Sequence, residues 1–521
     1  MKHTPVGSFS QRDFAGLSSA EFLALLVKRD INVQVRDGHL AVSGPPGVVD
    51  DLLRCELRAR KADLLTVLAP PKELPLKPPL LSGKRGGRIP LTPSQQGIWL
   101  IDHFDPGSVA YNIPEAFLLR ASISLATLQS TVDLLIARHD ILRTGFHEED
   151  GEIYQSVEPE AHTIVGLTDL TSLSEAEANV RCRVLIREHA RRPFDLRLPP
   201  LLRFHVFQVT PAHDVLFLNI HHIIADLQAI RVLREELLEV YQSLAANTTP
   251  NLPTLSLHYA DYAIWAAEQM RGNRVEREIE YWRQRLDGIP RYLELPLSRP
   301  YPNQRSMQGD TVAFELPSPL RASLAQIGRD CGATPFMTFL AAFAVLIARV
   351  SGQRDFCIGS PFTQRTHVET QRMIGIFMNM VAFRTRIASR DSFRDVLQQV
   401  RATALEAYEH GDVPFQTLVR ALRFNRTAPR TPIFQVMFGF EPSLPPSSAG
   451  YQIDTKPGTA RYDLSLVLTE SAAGTLFGYL EYRTDLFEAA EIESMASQFV
   501  DLVGEVAEAP DQPCFPEPSA A

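Results

Sequence analysis

The chain has 521 residues, enough for two to four domains at about 150 residues each. Its net charge is −9, from 52 basic and 61 acidic residues that are mixed along the chain. A nucleic-acid-binding protein would normally carry a basic surface, so this balance argues against that class. The five cysteines are scattered without a CxxC pair. This pattern predicts neither a zinc site nor a disulfide framework, and it favours a reducing, cytoplasmic location.

The N-terminus, MKHTPVGSFS, has no apolar core of the kind that a signal peptide needs. The longest apolar run lies near Met337 to Ala348. It is too short to span a bilayer and is predicted to be a buried helix, so we expect no membrane association.

Residues 1–68 are predicted to form a small α+β domain. The predicted order is a helix that opens at Ser18–Glu21, strands at 31–35 and 40–42 joined by Asp37-Gly38, and a helix at 48–68. Asp-Gly between two alternating runs is a strong hairpin signal. A lone hairpin is marginal in water, so its apolar face must pack on the helices.

Residues 69–88 are rich in proline and end in a basic, glycine-containing cluster, which is typical of a semi-rigid linker. The remainder alternates helix and strand patterns, which predicts a mixed α/β class in two lobes. The predicted helices are 125–139, 226–246, 320–331 and 335–350, and the predicted strands are 202–209, 215–220, 355–360, 377–387, 433–440, 463–469 and 475–482.

The sharpest local feature is HHIIAD at 221–226, where an apolar strand gives way to a long predicted helix. HxxxD alone means little in a chain with 14 histidines, but the doubled histidine is rare by chance. An imidazole at a strand end that faces a cleft can move a proton to or from a nucleophile. The alternative is structural: His221 is then a core histidine, and Asp226 only caps the helix.

Seven motifs, in order, resemble those of nonribosomal peptide synthetase condensation domains, across about Ile89 to Pro513. HHIIAD resembles the HHxxxDG signature of that family. The other six are LTPSQQGIWLID at 91–102, RHDILRTGF at 138–146, YADYAIW at 259–265, IGIFMNMVAFR at 374–384, HGDVPFQTLV at 410–419 and RTAPRTPIFQVMF at 426–438. Residues 1–68 are similar to the helix-hairpin-helix (TubC-type) docking domain found ahead of such domains.

The resemblance implies two chloramphenicol-acetyltransferase-like lobes in a V-shaped pseudo-dimer, here at 89–265 and 266–521. It also implies a reaction in which an acceptor amine attacks a carrier-bound acyl thioester and an amide forms. No cofactor is then bound, because 4'-phosphopantetheine arms of donor and acceptor carrier proteins deliver the substrates. The docking domain would receive a C-terminal peptide of an upstream synthetase subunit as an added strand at the hairpin edge.

Site residues follow from the resemblance. His222 is expected to be the catalytic histidine and His221 structural. Asp226 is expected to organise the site by pairing with an arginine, here Arg143. The motif positions near the substrate tunnel are Leu227, Gln228, Asn379 and Arg384.

One position departs from the family pattern, because Leu227 stands where the signature has glycine. The aromatic-Ser pair that usually follows is Gln228-Ala229 here. A leucine narrows or reshapes the space beside the substrate arm, which implies an unusual donor, such as a polyketide or fatty acyl chain, an unusual acceptor, or weakened activity. Because both histidines and the aspartate are kept, an active enzyme with an altered substrate is favoured. Two alternatives stay open: a non-catalytic scaffold for carrier proteins, and a chain-releasing acyltransferase that uses a free amine or alcohol.

Overall fold

The computed structural model describes residues 26, 31–36, 39–43, 51–61, 80, 87–120, 122–270, 273–303, 306–424, 430–441, 451–452, 455, 458–470 and 475–515. The chain divides into two compact units, Met1–Pro78 and Pro79–Ala521. The predicted first helix lies outside the described residues except for Leu26, which is helical and buried. Most of the predicted linker 69–88 also lies outside them. The domain boundaries at 68, 88 and 265 stay predictions.

The first unit contains the predicted hairpin. Strand β1 (Asn32–Arg36) pairs antiparallel with β2 (His39–Ser43), and Arg36 lies opposite His39. That register leaves a two-residue connection, as the Asp-Gly signal predicts. Helix α1 (Asp51–Ala59) follows. Residues 62–68, at the end of the predicted second helix, lie outside the described residues.

The second unit alternates helices and strands, so the predicted mixed α/β class is confirmed. Its helices are α2 Pro93–Phe104, α3 Leu125–Arg138, α4 Glu175–Ala190, α5 Leu227–Ala245, α6 Tyr259–Gln269, α7 Asn273–Arg285, α8 Ser318–Asp330, α9 Pro335–Ser351, α10 Phe393–Glu409, α11 Phe415–Ala421 and α12 Ala489–Glu508. Its strands are β3 Ile89–Pro90, β4 Asn112–Leu119, β5 Thr144–Glu149, β6 Glu152–Val157, β7 Gly166–Asp169, β8 Leu202–Thr210, β9 His213–His221, β10 Gly309–Leu316, β11 Asp355–Thr363, β12 Met378–Arg386, β13 Val436–Glu441, β14 Tyr451–Gln452, β15 Leu464–Glu470 and β16 Leu476–Arg483.

A five-stranded sheet in the order β14-β4-β9-β8-β7 organises the part that we call the N-lobe. Helices α3 and α5 pack on one face of this sheet, and α4 packs on the other. Strand β9 is central and buried on both faces, which is why it reads as a nearly continuous apolar run. A separate sheet, β3-β6-β5, lies in the same half of the chain.

A six-stranded sheet in the order β10-β16-β15-β13-β11-β12 organises the part that we call the C-lobe. Helix α9 is its central helix, and every residue from Met337 to Ala348 is at most 3% exposed. The prediction of a buried helix there is confirmed. None of the described helices is long and apolar enough to cross a membrane alone; the bent pair α8–α9, at 108°, meets the criterion by length and composition only.

Two segments of the C-terminal half pack into the N-lobe. Strand β14 completes the N-lobe sheet by pairing with β4, so that Tyr451 lies opposite Leu118. Residues 373–377, between β11 and β12, contribute buried side chains to the N-lobe core. These crossings place the polar groups of one lobe beside the strand ends of the other.

Candidate active site

The HHIIAD segment lies where the sequence places it, at the end of β9. The strand ends at His221, a 3-10 turn covers His222–Ile224, and α5 begins at Leu227. Asp226 is the N-cap of α5, since its Oδ1 accepts the Ala229 N–H at 2.7 Å. A carboxylate at this position satisfies a backbone donor that the helix leaves without a partner. The helix start therefore fixes the turn that carries both histidines.

His222 is buried and held in one tautomer. Its Nδ1 lies 2.7 Å from the Ala225 carbonyl oxygen, which can only accept, so Nδ1 carries the proton and Nε2 keeps a lone pair. Burial and, next in size, the cationic Arg461 lower the pKa of His222 to about 4, although the Ala225 bond and Asp226 act in the opposite direction. The imidazole is therefore neutral near pH 7. A neutral imidazole with an unprotonated Nε2 can accept a proton or a hydrogen bond.

His221 has the opposite tautomer. Its Nδ1 accepts the Ile223 N–H at 3.3 Å, and its ring lies edge-on to Phe194 with centroids 5.9 Å apart. Burial lowers its pKa to about 3, and His222 adds to that effect. These contacts support the structural role predicted for this residue.

Asp226 joins the two lobes. Besides capping α5, its Oδ1 accepts from Arg365 Nη2 at 2.8 Å, and its Oδ2 accepts the Phe377 N–H at 3.0 Å. Arg365 also donates to the Met373 carbonyl at 2.9 Å and stacks over the Phe377 ring at 4.1 Å. The carboxylate thus ties the start of an N-lobe helix to the C-lobe segment that crosses into the N-lobe core.

The predicted pairing of Asp226 with Arg143 is wrong. Arg143 ends a 3-10 turn, and its Nη2 donates to Asp140 Oδ1 at 2.9 Å. Its remaining donors reach the backbone carbonyls of Ile136, Glu158 and Pro159. Because nearby segments use its donors, Arg143 fixes its own loop, and Arg365 provides the ion pair at the site.

The contacts of Arg384 give its predicted tunnel role no support, and that role stays a prediction. Its Nε and Nη2 bind the Asp355 carboxylate at 2.8 and 2.7 Å, and its Nη1 donates to the Arg285 and Asp287 carbonyls. It lies seven residues beyond Phe377, about 23 Å along an extended strand. This arginine therefore holds β12 to its neighbours in the C-lobe, far from Asp226.

Asn379 lies two residues beyond Phe377 and is buried. Its Nδ2 donates to the carbonyls of Gly411 and Val413, and its Oδ1 accepts the Phe415 N–H at 3.1 Å. These bonds occupy the amide, so the side chain clamps the HGDVPF loop against β12. A tunnel role for Asn379 remains a prediction without a free polar group to support it.

Leu227 and Gln228 occupy the first turn of α5. Leu227 is 37% exposed, which is unusual for a large apolar side chain directly after a buried cap. Gln228 Nε2 donates to the Gln371 carbonyl at 3.4 Å. Both side chains lie within six residues of His222 along the chain, and their tunnel role stays a prediction.

Gly375 is required by close packing beside the site. It has φ +155°, and a Cβ there would lie 2.0 Å from the Tyr259 ring. Its carbonyl accepts the Asp226 N–H at 3.2 Å. The Tyr259 hydroxyl donates to the Ile376 carbonyl at 2.7 Å. A side chain at position 375 would push the crossing segment away from the Asp226 cap.

Sequence reasoning missed Arg365 and Arg461. Arg365 lies 139 residues beyond its partner Asp226, and no spacing rule connects two positions that far apart. Arg461 lies in the C-lobe, with its guanidinium carbon 5.5 Å from the centre of the Tyr111 ring. Only the crossings between lobes bring these cations to the strand end.

Comparisons with known proteins agree with this architecture. A family model described as "Condensation domain" matches residues 86–517, and one described as "TubC N-terminal docking domain" matches residues 20–69. A component of the linear gramicidin synthase of Brevibacillus parabrevis is 39% identical over 84% of this chain and 6% of that protein. Phosphinothricin tripeptide synthetase PhsC of Streptomyces viridochromogenes is 34% identical over 81% of this chain and 40% of that protein. The chain thus spans a minor part of these relatives.

Solved structures of similar fold include the X-domain from teicoplanin biosynthesis in complex with OxyB. It is 27% identical, with a TM-score of 0.76 over 84% of this chain and 97% of that chain. The first condensation domain of the calcium-dependent antibiotic synthetase has a TM-score of 0.72 over 82% of this chain and 99% of that chain. At 20% identity, this second likeness concerns the fold alone. The chain belongs to the condensation-domain family of nonribosomal peptide synthetases and carries a TubC-type docking domain at its N-terminus.

Proposed function

We propose that the chain is an acyltransferase that forms an amide between two substrates delivered on the phosphopantetheine arms of carrier proteins. The observation that carries the proposal is the fixed tautomer of His222. Its Nδ1–H is engaged by the Ala225 carbonyl, and its Nε2 lone pair is left for the acceptor amine. A pKa of about 4 keeps this nitrogen unprotonated at neutral pH.

In the proposed reaction, the acceptor amine attacks the thioester carbonyl carbon. A C–N bond forms and the C–S bond breaks. The proton lost by the amine passes to His222 Nε2 and then to the departing phosphopantetheine thiolate, so that charge and protons balance. A thioester is already activated, so orientation of the two arms and control of one proton supply most of the catalysis.

Intact-protein mass spectrometry of the carriers tests the proposal. A donor carrier with an acyl group and an acceptor carrier with an aminoacyl group are mixed with the protein or with His222→Ala. The expected result is movement of the acyl mass to the acceptor carrier only with the unaltered protein. His147→Ala is a matched control, because His147 bonds Ser156 away from the site and its loss should leave transfer unchanged. If His222→Ala transfers as fast as the unaltered protein, the proposal fails.

The first unit is proposed to recruit an upstream synthetase protein. The β1–β2 hairpin is a two-stranded sheet within the described residues, so a C-terminal peptide could extend it as a third strand. Deletion of residues 1–68 should slow transfer from the cognate donor carrier while leaving transfer from a small free thioester intact. An equal loss with both donors would contradict the docking role.

A second candidate is a module that recruits another protein without transferring an acyl group. Two observations favour it: the 27% identity to an X-domain solved in complex with OxyB, and the replacement of the signature glycine by Leu227. The mass-spectrometry experiment separates the two. Under the second candidate, no acyl or acceptor pair tried would give transfer with the unaltered protein, although the carriers would bind. A third candidate, release of the chain onto a free amine or alcohol, would give product without an acceptor carrier.

A further inference from the structure

Arg461 reaches from the C-lobe toward the residues that surround His222. Its guanidinium carbon lies 5.5 Å from the centre of the Tyr111 ring, and that ring lies 6.3 Å from the His222 ring. The Tyr111 carbonyl also accepts the His222 N–H at 2.8 Å. The tyrosine therefore contacts the histidine through its backbone and supports the guanidinium through its ring face.

The backbone that carries Arg461 is held firmly by buried polar groups. Two residues further on, Asp463 is fully buried and accepts from Arg483 Nη1 at 3.1 Å and from the Tyr301 hydroxyl at 2.6 Å. On the other side, the Ala460 N–H donates to the Met307 carbonyl at 2.9 Å. The arginine is thus presented from an anchored segment, as a fixed charge should be.

The charged surroundings keep Arg461 cationic. Burial alone would lower its pKa, but opposing charges, the Glu481 carboxylate first among them, leave that pKa raised. The titratable groups facing Arg461 are His222, Glu441, Glu481, Tyr111, Tyr462 and Tyr479. Those facing His222 are Tyr111, His221, Asp226 and Arg461. Since Asp226 is already paired with Arg365, Arg461 is the charge with the largest effect on His222.

We propose that Arg461 is a positioning residue, whose fixed positive charge disfavours protonation of both His222 and the acceptor amine that approaches it. The inference rests on the proposed amide-forming function. It names the residue that sets the pH range in which that reaction proceeds. An ammonium ion cannot attack a thioester, because it has no lone pair. A cation held over Tyr111, whose ring neighbours that of His222, makes the ammonium form of an amine near His222 less stable and favours the neutral amine.

The test is the pH dependence of the single-turnover rate at saturating acceptor carrier, because that rate reports groups in the bound complex. Arg461→Gln removes the charge, and Arg461→Lys keeps it. On the acid side of the pH profile, protonation makes the rate fall, and we call this part of the profile the acid limb. For Arg461→Gln, the acid limb should move to a pH higher by about one unit. The rate is then about tenfold lower at pH values below the limb and little changed above it. Arg461→Lys should restore the limb of the unaltered protein.

Two controls separate charge from structure. Arg291→Gln removes an exposed arginine that lies 5.4 Å from the Tyr292 ring centre, a geometry close to that of Arg461, and should leave the limb unchanged. If Arg461→Gln unfolds, Arg461→Met keeps the apolar stem over Tyr111 and serves in its place. A uniform rate loss at every pH, or an unmoved limb, overturns the inference. If the unaltered protein transfers nothing, the proposed function itself fails.

Discussion

Two anchored segments lie near one another in this molecule: the end of β9 in the N-lobe and the approach to β15 in the C-lobe. Each presents one side chain of the proposed mechanism, His222 or Arg461, and each is fixed by a buried aspartate, Asp226 or Asp463. The two aspartates differ in their partners. Arg365, which pairs with Asp226, comes from the other lobe, whereas Arg483, which pairs with Asp463, comes from the same lobe.

This difference separates two uses of a buried ion pair. A pair within one lobe stabilises that lobe and is formed as the lobe folds. A pair between lobes also couples the position of a side chain to the junction between them. Removing one partner of either pair leaves a buried charge, which is costly in both cases. Only the loss of the Asp226–Arg365 pair should displace His222 as well.

The largest expected effect is on the chemistry of His222 itself. In His222→Asn, the amide nitrogen replaces Nδ1–H as donor to the Ala225 carbonyl, but nothing replaces Nε2. We expect the transfer rate to fall by about 10²–10⁴-fold, the usual contribution of a general base. The free energy of unfolding should change little, because the turn keeps its hydrogen bond. A single-turnover assay and denaturant unfolding measure the two quantities, and retention of more than a tenth of the rate would contradict the assignment.

The next effect is on the junction between the lobes. Arg365→Gln leaves Asp226 buried without its cation, which should lower the free energy of unfolding by about 3–5 kcal/mol. Because α5 and residues 373–377 lose their common partner, transfer should also slow at least as much as it does in any C-lobe anchor variant. Urea unfolding and the mass-spectrometry assay check this. Normal activity in a destabilised variant would show that the junction does not position His222.

A smaller effect is expected for the anchor that lies within the C-lobe. Asp463→Asn keeps the shape and the bond from the Tyr301 hydroxyl but removes the charge that faces Arg483. Asp485, at 2.7 Å from Arg483, still compensates part of that arginine's charge, so the loss should be about 2–3 kcal/mol. We expect the transfer rate at pH 8 to fall less than in Arg365→Gln. If Asp463→Asn slowed transfer more than Arg365→Gln, only one kind of buried ion pair would be needed to explain the two sites, and the distinction between Asp226 and Asp463 would fail.

The smallest effect concerns pH and His221. Its pKa is about 3 in the folded chain and about 6.5 when exposed, so the unfolded chain binds more protons between these values. Acidification from pH 6.5 to 5.5 should therefore destabilise the fold by about 1 kcal/mol through this residue. Burial raises the pKa of Glu115 to about 7, which acts in the opposite direction in the same range.

A difference between variants isolates the His221 contribution. His221→Asn keeps an acceptor for the Ile223 N–H without a titrating ring. The stability gap between this variant and the unaltered protein, measured in urea, should shrink by about 1 kcal/mol from pH 6.5 to pH 5.5. A gap that stays constant would mean that His221 is as exposed to protons in the folded chain as in the unfolded one.

Local features of the site could be predicted from the sequence. The continuous apolar run identified β9, and the polar residue before a helical pattern identified the Asp226 cap. Periods of two and 3.6 residues reflect contacts along one element, so they place element ends within a few residues. The predicted helix 226–246 and the observed Leu227–Ala245 agree for this reason.

The junction could not be predicted in the same way. Asp226 meets Arg365 because residues 373–377 cross into the N-lobe core, and no local pattern encodes that crossing. A motif points to Arg143, but the donors of that arginine are used by carbonyls of nearby segments. Arg384 is close to Asn379 in sequence, although an extended strand carries it far from the site. Partners that lie more than a hundred residues apart can be identified only once the topology of the fold is known.

The most direct measurement of the central claim is the nitrogen-15 NMR spectrum of His222, assigned by comparison with His222→Asn. The account predicts a neutral ring at pH 7, with the proton on Nδ1 and none on Nε2, and no titration down to about pH 5. A proton on Nε2, or a charged ring at neutral pH, would leave no lone pair for the acceptor amine. That result would contradict the proposed role of His222 in amide formation.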